Sequence, residues 1–318
     1  MPAINLTELN AALGAHVREN PGIFVDMVYN ELQTLQHVTV VETRDEMPIT
    51  NIRTGKLLRP QKYDNAWNPG SDKVKMKPRM LKVRPAKFDL EFIPAAHWKT
   101  WLGYNRRAGS ADQHYMPFEQ WILMHLAKEV AEEIQLDIIW KGVHDPDGES
   151  PKDVCDGLEK IVEDSIAAAG EFDVPAAQVV DVGTITSANA YDQALQVARA
   201  LPEKLRGRMT KAFMTWNVAD SYNDDYTATI GAAPFNTDFN KARINGTNSE
   251  IVRTVGMSSG KILISEPTNL FVGMDLESDV NQITFEKNRR GLDVMFDCQI
   301  GVQVADPRNI AYGYDATP

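Results

Sequence analysis

Cysteine is scarce in this chain: Cys155 and Cys298 are the only two among 318 residues. They stand far apart and outside any CxxC or Cys/His spacing, which excludes a disulfide framework and a zinc knuckle and leaves two reduced, buried thiols as the expectation. No apolar run approaches the roughly 20 residues of a membrane-spanning helix. Met1-Pro2-Ala3-Ile4-Asn5 also lacks the basic start and hydrophobic stretch of a signal peptide, so a soluble protein made in the cytoplasm is expected. GxSxG, Walker-type, GxGxxG and HExxH patterns are missing too, which removes the commonest hydrolase, nucleotide-binding and zinc-protease readings. There is no internal repeat and no low-complexity tract.

What is present is ordinary globular material, 43% hydrophobic and 24% charged, enough for one sizeable core or two smaller ones. Charge is unevenly placed. The formal net charge is −11, yet residues 42–87 hold 12 Lys or Arg against 5 Asp or Glu, a local +7 that leaves −18 on the remainder. One basic segment therefore sits on an acidic body.

Residues 1–40 read as an arm with two short helices. Asn5 or Thr7 caps the first, through Leu9, Leu13 and Val17; Asn20-Pro21-Gly22 breaks it; Phe24 to Leu35 forms the second. From Val38 to Leu102 prolines and glycines punctuate short alternating stretches, best seen in Met80-Leu81-Lys82-Val83-Arg84 and in Lys87-Phe88-Asp89-Leu90-Glu91-Phe92. A long two-stranded excursion fits, with Trp67-Asn68-Pro69-Gly70-Ser71 at or near its tip. Such a ribbon has little core of its own and must lie on something else.

Pro117 opens the clearest helix, running to about Lys141, with Trp121, Ile122, Leu126, Val130, Ile134, Ile138 and Ile139 at helical spacing. Gly142 and the Asp145-Pro146-Asp147-Gly148 turn end it. Beyond it, helices are expected within 154–169, 188–205 and 218–229. Strands are expected at 210–216, 251–255, 261–264, 270–273, 283–287 and 292–304. Helices and strands mix without regular βαβ alternation, which makes the fold class α+β.

Candidate chemistry is thin. His125 with Glu129, Glu132 and Glu133 has helical metal-ligand spacing but no second histidine, so the acidic face reads as a docking surface. His144 to Glu149 lacks the ligand run of a calcium loop and reads as a turn. Asp220, Asp224 and Asp225 fall on one helix with Tyr222 and Tyr226, as a solvated helix face does. The basic run Lys73, Lys75, Lys77, Arg79, Lys82, Arg84 and Lys87, near Tyr63, Trp67 and Phe88, has a nucleic-acid-binding look. The body's −18 opposes non-specific DNA binding, and an acidic partner protein fits better, the nearest being another copy of this chain.

The order of arm, extended loop, spine helix, compact α+β unit and closing strands resembles the Hong Kong 97-type (HK97-like) major capsid proteins of tailed double-stranded DNA phages, over essentially the whole chain. Cys155-Asp156-Gly157-Leu158 stands where that family has a short Gly-Leu motif after the spine. Lys211 to Asn217 with the helix after it, Leu270-Phe271-Val272-Gly273, and Gly301-Val302-Gln303-Val304-Ala305-Asp306-Pro307 match further family patterns. The resemblance implies an N-terminal arm at 1–40, an extended loop (E-loop) with flanking strands at 41–102 and a peripheral domain at 103–175 with its spine helix at 117–141. An axial domain at 176–265 and C-terminal strands at 266–318 complete it.

It also implies a non-enzymatic virion subunit, without cofactor or metal, assembled in the host cytoplasm into pentamers and hexamers around double-stranded DNA that it does not read by sequence. Its partners would be itself, a portal and decoration proteins. The chain begins at the arm, so a separate scaffolding protein is expected; no Asn and Glu align to the cross-linking motif of some relatives, which is not carried over. The basic ribbon 44–92, with Arg59, Lys62, Lys73, Lys75 and Lys77, is expected to reach over Glu129, Glu132, Glu133 and Asp137 of a neighbouring copy. An encapsulin-like nanocompartment is the alternative within the fold, and a cytosolic metal-dependent hydrolase using His125 and the Asp220 to Asp225 cluster the alternative outside it.

Overall fold

The computed structural model describes residues 11, 14–15, 23–55, 58, 74–93, 118–230, 243–275, 283–289 and 291–316. The first arm helix, the Asn20 to Gly22 break, the Trp67 to Ser71 tip, and the sites Arg59, Lys62 and Lys73 lie outside these residues. In chain order the elements are α1 (Ile23–Glu31), β1 (Thr39–Glu42), β2 (Glu46–Arg53), β3 (Lys75–Lys82), β4 (Arg84–Phe92), α2 (Phe118–Glu133) and α3 (Leu158–Ala168). They continue with β5 (Val179–Asp181), α4 (Ala190–Ala200), α5 (Glu203–Arg206), β6 (Thr210–Thr215), α6 (Trp216–Ile230), β7 (Ser249–Thr254) and β8 (Ile262–Ser265). The chain closes with β9 (Leu270–Met274), β10 (Thr284–Asn288), β11 (Gly291–Val304) and β12 (Ile310–Tyr314).

Strands β2 and β3 pair only with each other, as the alternation predicts, and form the ribbon. The second alternating stretch leaves it: β4 pairs antiparallel along β11 from Arg84–Ile300 to Phe92–Leu292 and so belongs to the main sheet. That sheet also holds β1, β9 and β10.

A second sheet, in the order β5-β12-β8-β6-β7, is buried on both faces. Successive residues of its strands point to opposite sides. Phe213, Val252, Leu263 and Tyr312 enter a core shared with α1, the spine helix and the main sheet. Their neighbours Met214, Ile251, Ile264 and Ala311 enter a separate core under α4 and α6. Continuous apolar runs such as Ile262-Leu263-Ile264 follow from that double burial.

The spine is α2 continued by one wide π-turn at Ile134–Ile138, in which Ile139 N–H donates to Ile134 C=O at 3.1 Å. Gln135 sits in that turn, buried, donating from Nε2 to Thr34 Oγ1 and to Val255 C=O at 3.0 Å, while its Oε1 accepts Thr34 N–H at 3.3 Å. Trp140 Nε1 donates to the same Thr34 hydroxyl at 3.3 Å. One side chain thereby ties the arm, the spine and the loop after β7. The spine's final carbonyls are satisfied by the start of α3: Gly157, Leu158 and Glu159 N–H donate to Gly142, Ile139 and Trp140 at 2.8, 2.9 and 3.1 Å. Helix ends leave such groups orphaned, and here two ends cancel each other's deficit.

Where the ribbon meets the main sheet, two glycines face each other in register, Gly273 on β9 and Gly301 on β11. A Cβ on Gly301 would lie 2.1 Å from the Lys82 carbonyl oxygen, and one on Gly273 would lie 2.9 Å from Val83 Cγ1 and 3.0 Å from Leu81 Cδ2. The paired absence of side chains makes a depression in which Leu81, fully buried, is seated. Gly301→Ala is expected to cost about 1–3 kcal/mol, the usual cost of overpacking, in chemical denaturation of the purified chain. Gly207→Ala, where nothing lies within 4 Å of the added carbon, should stay within about 0.5 kcal/mol of wild type.

Candidate functional site

Two surfaces were expected to carry function, the basic ribbon and the acidic side of the spine. Side chains on the ribbon alternate between two faces. Cross-strand partners share a face, so Asn51 with Lys77, Arg53 with Lys75, and Ile49 with Arg79 lie together, while Thr50 with Pro78 and Ile52 with Met76 lie on the other side.

The first face is turned to the chain's own body. Arg53 and Lys75 both pair with Glu171, at 3.0 and 2.6 Å, and Arg79 lies 3.6 Å from Asp173. Lys75, at the end of β3 away from Lys82, is thus held against its own chain. Hydrogen bonding to Lys75, ahead of burial, holds the Glu171 carboxyl below the usual range.

The root of this face is a polar clamp that sequence reasoning missed. Asn51 is buried, and its Nδ2 donates to Asp306 Oδ1 at 3.2 Å while its Oδ1 accepts from Arg308 at 2.7 Å. Arg308 in turn donates to both Asp306 oxygens, at 2.8 and 3.0 Å, and its guanidinium lies 5.4 Å from the centre of the Phe172 ring. Asp306 also accepts Arg308 N–H at 3.1 Å, capping the turn that precedes β12. Burial alone would push the Asp306 carboxyl up, but bonds from Arg308 and Asn51 outweigh it and the pKa falls below the ordinary aspartate value. The Asp306-Pro307 pair was visible in the sequence; its partner on the ribbon was not.

On the spine, Glu129, Glu132 and Glu133 are exposed and Asp137 is half-buried, all on one helix. Glu133 borders a groove of about 450 Å³ between the spine and β4, with Pro85, Phe88, Val130, Ile138 and Pro151 among its walls. Partial burial, then the charges of Asp137 and Glu129, raise the Glu133 pKa. Lys77 is exposed on the ribbon.

The other candidates resolve into structural roles. His125 stacks at 6.3 Å on Trp121, and among the described residues no group of three or more His, Cys, Asp or Glu is placed to hold a metal ion. Asp220 is exposed near Arg253, whereas Asp225 is buried and accepts Tyr191 N–H at 2.8 Å in the first turn of α4. The 145–148 segment is a turn, with Gly148 N–H donating to Asp145 C=O at 3.2 Å. Cys155 and Cys298 are free thiols, each pushed up to about 12, mainly by burial.

About nine-tenths of the chain superposes on capsid structures. A chain of the satellite phage P4 procapsid that includes the size determination (Sid) protein matches 91% of this chain and 97% of its own length, at TM-score 0.55 and 14% identity. This is the HK97-like phage capsid fold. A second example of that capsid fold is a chain from the capsid of an empty GTA particle, which covers 90% of this chain and 97% of its own, with TM-score 0.57 and 14% identity. A chain from the capsid of Myoviridae phage XM1 covers 89% and 92%, with TM-score 0.52 and 10% identity. No family model matches the sequence, and no curated protein matches it.

The clamp sets a pH dependence of the capsid-fold subunit. A depressed aspartate pKa stabilises the folded state above the unfolded value, near 3.9, and that contribution is lost as pH falls through the folded value. Asp306→Asn should therefore lower stability by about 1–3 kcal/mol at neutral pH and narrow its gap to wild type in acid. Denaturant titrations of the purified chain at pH 7 and near pH 3 check this.

Proposed function

We propose that this chain is the major capsid protein of a tailed double-stranded DNA phage, a subunit that closes with its own copies into an icosahedral shell of pentamers and hexamers around the genome. The observation that carries the reading is the near end-to-end match to capsid chains, in which both lengths are covered almost fully. In this reading the chain does structural work without catalysis or cofactor. Assembly takes place in the host cytoplasm with a separate scaffolding protein and a portal, and decoration proteins join the finished shell. Among the described residues no helix is long and apolar enough to cross a membrane.

Within the shell, the ribbon of one copy reaches over Glu129, Glu132, Glu133 and Asp137 of the next, with Arg59, Lys62, Lys73 and Lys77 as the basic side; Lys75, expected among them, is held by Glu171 of its own chain. The partition of +7 against −18 supports this direction of contact. Such complementarity fixes register and speeds encounter more than it adds affinity. A nanocompartment shell shares the fold and is not favoured by the comparisons.

Negative-stain microscopy of the expressed chain, alone and with its genomic neighbours, should reveal closed shells of uniform diameter. A chain that stays monomeric under all these conditions would end the shell reading, and a copurifying peroxidase or ferritin-like enzyme in place of DNA and portal would turn it to the nanocompartment. Reversing Lys73 and Lys77 to Glu, and leaving Lys75 on Glu171 of its own chain, should lower shell yield most at low salt, where charges are least screened. Equal yields at low salt would remove the charge contact.

A further inference from the structure

Helix α4, the end of α5 and the turn that leads into β7 enclose a cleft of about 470 Å³. Its size is that of a small-molecule site. One wall is apolar: Tyr191, Leu195 and Ala198 follow one another at helical spacing along α4 and so share a face. The wall opposite is polar. Asn245, Thr247 and Asn248 stand on a tight turn closed by Thr247 N–H on Ile244 C=O at 3.1 Å, with Gly246 at φ +73°. Asn245 fastens that turn to α6 and α4, its N–H donating to Tyr222 Oη at 2.9 Å and its Nδ2 to Tyr191 Oη at 3.2 Å.

Arg199 and Arg206 border the cleft where α4 ends, and among the described residues no Asp or Glu lines it. Arg206 is fixed in place. Its Nε donates to Leu201 C=O at 3.0 Å and its Nη2 to Arg199 C=O, which satisfies the last carbonyls of α4 and offsets the negative end of the helix dipole. Arg199 is exposed, and among the described residues its side chain makes no ion pair. In a chain of net charge −11, an acid-free cleft with two guanidinium groups is a local reversal of sign.

We propose that this cleft binds a small phosphorylated ligand with a flat apolar body, a mononucleotide by class, its phosphate on Arg199 and Arg206 and its base against the α4 wall. A phosphate monoester brings nearly two negative charges and several acceptor oxygens, so it can answer two guanidinium groups that arrive from different elements. The planar fork of arginine suits that geometry better than a lysine would. A bare anion would leave the Tyr191 and Leu195 wall in water, whereas a base covers it and meets asparagine amides able both to donate and to accept. The cleft is complete within one chain, so binding to it stands apart from the shell reading.

Calorimetric titration of the purified full chain with the four common ribonucleoside monophosphates, and with adenosine and inorganic phosphate as fragments, tests the site. At least one monophosphate should bind once per chain, more tightly than either fragment and more weakly as salt is raised. Arg199→Gln, at an exposed position, should lower that affinity about tenfold or more, as the loss of a charge-assisted hydrogen bond does. Lys204→Gln, which removes an exposed cation of α5 that does not line the cleft, should leave it unchanged. No saturable binding of any monophosphate, a fragment that binds as tightly as the whole, or equal weakening by Lys204→Gln would each overturn the proposal.

Discussion

At Lys82 the ribbon backbone passes so close to Gly301 that a single added carbon would meet its carbonyl oxygen at 2.1 Å. Two strands alone bury too little to hold a shape in water, so the position of β2 and β3 follows from this crossing and from the Asn51, Asp306 and Arg308 clamp beside it. Glycines supply the space, and the carboxylate, amide and guanidinium supply direction. Leu81 at full burial ties the apolar and polar halves of the root together.

A second set of ties joins the remaining parts. Gln135 holds the arm through Thr34 and the loop after β7 through Val255. Glu159, buried on α3, accepts from Ser258 N–H and Oγ at 2.6 and 2.7 Å and from Lys261 Nζ at 2.8 Å. Both anchors are buried polar groups with their bonds made inside the protein, where an unmade bond is costly. Packing brings the arm, the spine and the β5-β12-β8-β6-β7 sheet together, and these bonds give them a single arrangement.

Much of this was readable from periodicity and punctuation. The spine's polar face, the buried strand at Thr210–Thr215 and the long Gly291–Val304 strand all appear because local pattern and tertiary role agree. Strands Val179–Asp181 and Ile310–Tyr314 escaped notice. The first is three residues long, and the second is interrupted by Gly313 in a run too short for alternation to register. The buried face through Leu123, Ala127 and Ala131 was masked by the small size of alanine, which carries little weight in a hydrophobic count. The ribbon root was harder in kind. Asn51 and Asp306 are 255 positions apart, and nothing local in either segment records that they meet.

The sheet shared by two cores sets a rule for which changes this molecule tolerates. Because alternate residues of β6, β7, β8 and β12 serve opposite interiors, inserting or deleting one residue there would exchange the contents of both at once, turning Phe213-sized groups into the space cut for alanine and methionine. A conventional sheet with one wet face would damage a single interior in the same event. Changes of length are therefore expected to be tolerated in the turns between these strands, while the strands themselves should admit only exchanges that keep volume on each side.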